Sequence, residues 1–216
     1  MKNKNNLYIV TVGIIVLAVL GIVFISKQRT GMMNGSTMEQ VMDSRVDIGS
    51  TEYKMYSQLT GDEYDRQFIA NMIEHHQGAI DMAKLAQTSA SHSELKTLAS
   101  NIISSQSSEI KDMTSWQAKY GYAASSGEMM MDHSSMGMAY EMGNMAEELK
   151  PLSGNAFDLK FLELMIGHHQ SAIDMAQPGI KNAKHQEVKD LARAIVDAQS
   201  KEIAQMKQWQ KDWRSN

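Results

Sequence analysis

Residues 72–83 read MIEHHQGAIDMA, and residues 165–176 read MIGHHQSAIDMA. The two stretches differ only where Glu74 is replaced by Gly167 and Gly78 by Ser171. Around the first, apolar residues recur at three- and four-residue spacing: Ile69, Met72, Ile73, Ala79, Ile80 and Ala83, with His76 in the same row. That period belongs to a helix with one buried stripe. The likeness runs well beyond the motif. Residues 64–120 align with residues 157–213 without a gap, so that His92 pairs with His185, Glu94 with Glu187, and QSSEIKDMTSWQ with QSKEIAQMKQWQ. A gapless repeat of this length marks a duplicated supersecondary unit.

Each unit reads as two helices. Thr60 with Glu63 has the capping-box pattern at the start of the first helix, and Ser91 with Glu94 has it at the start of the second. In that second helix Leu95, Leu98, Ile102, Glu109, Met113 and Trp116 form the inward stripe. Pro178-Gly179 stands where the first unit has Leu85-Ala86, so the first helix of unit two is expected to end early or kink. No such helix buries its stripe alone. Two hairpins therefore predict an all-α, four-helix bundle, closed within one chain or across a dimer.

Residues 7–25 are an uncharged apolar run between Lys2, Lys4 and Lys27, Arg29. As a helix it spans about 28 Å, close to the ~30 Å hydrocarbon core of a bilayer. No small-x-small cleavage site follows it, which favours a retained transmembrane anchor over a cleaved signal. The expected organisation is a cytoplasmic start at 1–6, an anchor at 7–25, a juxtamembrane linker with methionines at 26–59, hairpin one at 60–120, a methionine-rich linker at 121–151 and hairpin two at 152–214. The soluble part is then periplasmic or extracellular. A net charge of -4 gives no basic stripe for nucleic acid. Cysteine is absent while methionine occurs 19 times. Thiolate sites and cysteine nucleophiles are thereby excluded. Thioethers, which survive oxidising compartments better than thiols, become the available soft ligand.

Six of the histidines fall at equivalent positions of the two units: His75, His76, His92 and His168, His169, His185. Adjacent helical residues point about 100° apart, so His75 and His76 reach the interior from two flanks. A single inward histidine is ordinarily a core residue bonded to a neighbour. Two adjacent ones, duplicated, are costly to bury unless something coordinates them. If the first hairpin turns near Ser89-Ala90 and the second at the equivalent place, antiparallel register sets Glu109 opposite His75 and Met72, and Glu202 opposite His168 and Met165. The candidate ligands are thus His75, His76, Met72 and Glu109 in one unit and His168, His169, Met165 and Glu202 in the other, with one ion expected per unit and a single ion shared by the four histidines as the alternative. Asp81 and Asp174 read as outer partners or surface charges. His92, at the turn, reads as a surface residue. Between the units lies MMMDHSSMGMAYEMGNM (129–145), where glycine and serine interrupt any helical stripe. Its Met129, Met130, Met131, Met136 and Met138 with His133 suit Cu(I) or Ag(I).

The duplicated M-I-x-H-H-Q-x-A-I-D-M-A with its following W-Q helix ends resembles the family known as domain of unknown function 305. That resemblance covers residues 61–213. It implies a ferritin-like helical bundle, an extracytoplasmic location and copper or silver binding. Carried over, the motif residues are His75, His76, Met72 and Met82, and His168, His169, Met165 and Met175. MDHSSMGM (131–138) looks like the methionine-rich repeats of copper-resistance oxidases. The expected activity is accordingly non-enzymatic: a chaperone, buffer or resistance factor for Cu(I), Cu(II) or silver. Its candidate partners are metal ions, the membrane, a second copy of the chain or a copper-handling protein. A ferritin-like di-metal oxidase is the alternative, but it needs paired Glu-x-x-His motifs, and Met72 and Met165 stand three residues before His75 and His168. A structural, partner-binding bundle leaves the duplicated histidines unexplained.

Overall fold

The computed structural model describes residues 45–122 and 144–214. The apolar 7–25 segment lies outside the described residues. So do Met32, Met33, Met38 and Met42, and so do His133, Met129, Met130, Met131, Met136 and Met138. No helix among the described residues is long and apolar enough to cross a membrane.

The described regular structure is helical. The elements are α1 (Thr51–Gln58), α2 (Gly61–Ser89), α3 (Ser93–Tyr120), α4 (Gly154–Ala176), α5 (Gly179–Asn182) and α6 (Gln186–Arg214). The two hairpins, α2–α3 and α4–α6, pack together within one chain. Helices α2 and α4 run antiparallel. Tyr64 near the start of α2 donates its hydroxyl to the Met175 carbonyl near the end of α4, at 2.8 Å, and the His75 and His168 rings meet midway. Helices α3 and α6 are antiparallel too, since His92 before α3 stacks on Trp213 and Tyr120 at the end of α3 stacks on His185. The stripes read from the sequence supply the core. Phe68, Ile69, Met72, Leu95, Ile102 and Met113 are buried, as are Phe161, Met165, Val188, Ile195 and Met206. Each such side chain contributes roughly 1.5–3 kcal/mol of burial.

Both capping boxes give way to other devices. The first residue of each leading helix, Gly61 or Gly154, has φ of 62°, a left-handed turn that suits glycine. Thr60 and Ser153 are consequently rotated out of capping position and make no side-chain cap bond. Helix α3 starts at Ser93, not Ser91, because the Ser91 and His92 N–H groups are taken by the Asp158 carboxylate of the other hairpin. An ionised acceptor makes a stronger hydrogen bond than a hydroxyl.

The early end expected of α4 is present: it stops at Ala176, whereas α2 runs on to Ser89. The break presents the Met175 carbonyl to Tyr64. At Gly179 an added Cβ would lie 2.2 Å from that same hydroxyl, so only glycine fits. Part of the stretch read as a linker, residues 45–59, is built into the bundle. Tyr56 of α1 is fully buried against Tyr64 and Phe68 and accepts from Asn71 Nδ2 at 2.7 Å. The Asp47 N–H bonds Asp174 at 2.9 Å, and Gln170 bonds the Arg45 carbonyl at 2.9 Å.

Candidate metal centre

His75 and His168 meet where α2 crosses α4. Their ring centroids are 3.7 Å apart and the planes are tilted by 44°. Both residues are 1% exposed. Among the described residues neither His168 ring nitrogen has a hydrogen-bond partner, and His75 Nδ1 has none. A buried polar atom without a partner costs about 1–3 kcal/mol. Burial pushes both imidazoles well below the usual histidine range, and the surrounding rings add to this. The central pair is therefore neutral at pH 7, the form in which imidazole ligates metals.

His76 and His169 stand next to this pair, turned about 100° around their helices. Their ring centroids lie 6.5 Å from His75 and 6.3 Å from His168, respectively. Each turns towards the second helix of its own hairpin, where His76 Nε2 is 2.6 Å from Glu109 Oε2 and His169 Nε2 is 2.7 Å from Glu202 Oε2. A carboxylate only accepts, so Nε2 carries the hydrogen and Nδ1 is left with its lone pair when the ring is neutral. Both Nδ1 atoms are buried without a partner. The antiparallel register thus placed Glu109 and Glu202 correctly, one residue over from the expected histidine.

Met72, Met82, Met165 and Met175 are fully buried in the core. Among the described residues no group of three or more His, Asp or Glu is gathered closely enough to hold one ion. Asp81 is a surface charge bonded to Gln77 and Lys84. Its counterpart Asp174 is buried beneath the 45–50 segment, and burial raises its carboxyl above the usual range. An open pocket of about 380 Å³ lies beside Asp174, with His75, Gly167 and His168 among its lining.

The end histidines do a different job. Asp158 Oδ2 lies 2.5 Å from His92 Nδ1, and Asp65 Oδ2 lies 2.7 Å from His185 Nδ1. Each carboxylate is fully buried and also accepts backbone N–H groups of the opposite hairpin's turn, Asp65 from Lys184 and His185. The expectation of a free surface role for His92 is corrected by this clasp and by the Trp213 ring stacked at 3.8 Å. Asp65 and Asp158 escaped the sequence reading, although a carboxylate inside an apolar stripe at equivalent positions of both units was a visible signal.

The model of a domain of unknown function, DUF305, matches residues 25–117 and again 65–210. The chain belongs to the DUF305 family. Among solved structures it is similar to CopM in the Cu(II)-bound form, at 41% identity over 69% of this chain and 97% of that one, with a TM-score of 0.58. CopM in the Ag-bound form aligns at 38% identity over 69% and 96%, with a TM-score of 0.57. A DUF305 protein of Streptomyces coelicolor, described as secreted, aligns at 25% identity over 69% and 93%, with a TM-score of 0.62. No curated protein matches this chain.

Proposed function

We propose that this DUF305 protein binds copper, and silver as its soft analogue, without catalysing a reaction, and that it does so outside the cytoplasm. The observation that carries the reading is the central pair: two neutral, buried imidazoles in tilted contact, three of whose four ring nitrogens have no hydrogen-bond partner among the described residues. The metal is cargo. His75 and His168 are the innermost ligands, and His76 and His169, whose buried Nδ1 atoms are unpartnered, stand beside them without being gathered around the same point. Glu109 and Glu202 orient those rings and raise their basicity by accepting the Nε2 hydrogen, as carboxylates behind metal-bound histidines do. With carboxylates so occupied, thioethers complete the ligand set. Met72 and Met165 lie one turn before the histidines, which favours a soft ion over iron. Met82 and Met175 sit roughly 9 Å further along their helices from His76 and His169 and serve the core.

The meeting of His75 with His168 favours one ion shared between the units over one in each. CopM, similar over nearly its whole length, is solved with Cu(II), Cu(I) and Ag, and the secreted relative supports an extracytoplasmic site. The ferritin-like bundle, the retained 7–25 anchor and a second class of site over 129–145, built on its methionines with His133, belong to the same proposal. Cu(I) titration with a competing chelator tests it. Changing His75 and His168 together to Ala should abolish the tight histidine-dependent stoichiometry, whereas Glu109→Gln with Glu202→Gln should weaken affinity by about 10–100-fold and leave stoichiometry intact. Unchanged tight binding in the first variant would refute the reading.

A further inference from the structure

The two units treat the same motif differently at one position. Gly167 lies in the interior of α4, where glycine costs up to about 1 kcal/mol relative to alanine. Its φ is not left-handed, since the positive-φ glycines among the described residues are Gly61, Gly121 and Gly154. Nothing lies within 4 Å of the Cβ it lacks, so no close approach requires it. The first unit carries Glu74 at the equivalent place. What the missing side chain does is leave the helix surface bare beside His168. There the 380 Å³ pocket opens, with His168 and His75 lining it and Ser171 one turn on from Gly167. Asp47, from the segment leading into α1, and Glu52, in the first turn of α1, line the same pocket, as does Met145. It therefore combines carboxylates that draw in a cation, a thioether that suits a soft one, and an innermost imidazole, 1% exposed, whose two nitrogens have no partner.

We infer that this pocket is the port through which the metal ion enters and leaves the histidine pair, and that Gly167 keeps it open. The inference rests on the copper-binding reading above and assigns it a route. An ion approaching from solvent meets Asp47 and Glu52 first, passes the bare helix surface at Gly167 and exchanges its weak ligands for the His168 and His75 nitrogens.

Stopped-flow mixing of the full chain with Cu(II) supplied as its glycine complex tests this. The absorbance of imidazole-bound copper isolates the histidines from thioethers, which prefer Cu(I). Gly167→Leu should slow uptake about tenfold, within the range over which site variants change association rates, with unchanged final amplitude and helicity. Ser171→Leu closes the same mouth one turn on and should slow uptake likewise. Glu74→Leu, the matching change on the first unit, should leave the rate at the wild-type value. Uptake by both Gly167→Leu and Ser171→Leu as fast as wild type would overturn the port. If the His75→Ala, His168→Ala double variant kept the full amplitude, the copper reading would fail and the port with it. If the amplitude vanished there while both blocked variants stayed fast, the port alone would fail.

Discussion

The two hairpins share a motif nearly letter for letter, yet they stand in different surroundings. In the first, α2 runs unbroken through Leu85-Ala86, Asp81 lies on the surface and Glu74 projects outward. In the second, α4 stops before Pro178-Gly179, Asp174 is buried beneath the 45–50 segment and Gly167 leaves a pocket open. What stays identical is the inward histidine pair, its glutamate partner and the aspartate clasp. The duplication is kept where both hairpins must meet at one point and relaxed where only one has a neighbour. A shared centre needs both halves, whereas its entrance needs only one side.

The clasps should give the largest effect. Asp65→Ala and Asp158→Ala each strand a histidine and two backbone N–H groups at the hairpin junction. Each should cost about 2–3 kcal/mol, because buried hydrogen-bond donors lose their acceptor. Urea unfolding of the two variants should give matching losses. A large loss for one and none for the other would show that the halves are not equivalent even at their ends.

The central pair predicts a pH dependence of the metal-free protein. Unfolded histidine takes up its proton near pH 6.5, whereas folded His75 and His168 do so only well below that. Below pH ~6.5 the unfolded state therefore binds more protons, and stability falls as the pH falls, by up to about 1.4 kcal/mol per pH unit for each histidine. Above that value the pair makes no pH-dependent contribution. Replacing both with Leu should flatten the pH 5–7 part of the profile measured by thermal or urea unfolding.

The helix break offers a reciprocal test. Tyr64→Phe removes the donor to the Met175 carbonyl and should cost about 1–2 kcal/mol. Phe157→Tyr places a hydroxyl against the unbroken α2, which has no freed carbonyl for it, and should cost a similar amount. A Phe157→Tyr variant as stable as wild type would mean that the break is not what distinguishes the two positions. The smallest effect is expected at Gly167→Ala, a gain of about 0.5–1 kcal/mol in unfolding free energy from helix propensity alone. A loss there would reveal packing that the open surface does not show.

Much of this was legible before any coordinates. The repeat marked the four long helices, the 3.6-residue stripes picked the core, and antiparallel register set Glu109 and Glu202 beside the histidines. Pro178-Gly179 marked its own break. Three things were hidden, for physical reasons. Helix starts followed a left-handed glycine and a carboxylate from another hairpin, and tertiary partners override a local capping box. Helix α1 is short and its single anchor, Tyr56, carries no periodic signal. The pairing of His75 with His168 depends on which face of α2 meets α4, and a stripe read along one helix cannot name its partner.

The central claim is that one metal ion is shared between the two units. It is tested most directly by anomalous diffraction at the copper edge from crystals of the copper-loaded protein. We predict a single anomalous peak at the ring nitrogens of His75 and His168, with His76 and His169 still held by Glu109 and Glu202. Two separate peaks, each on the histidines and methionine of one unit, or no peak near the helix crossing, would contradict it.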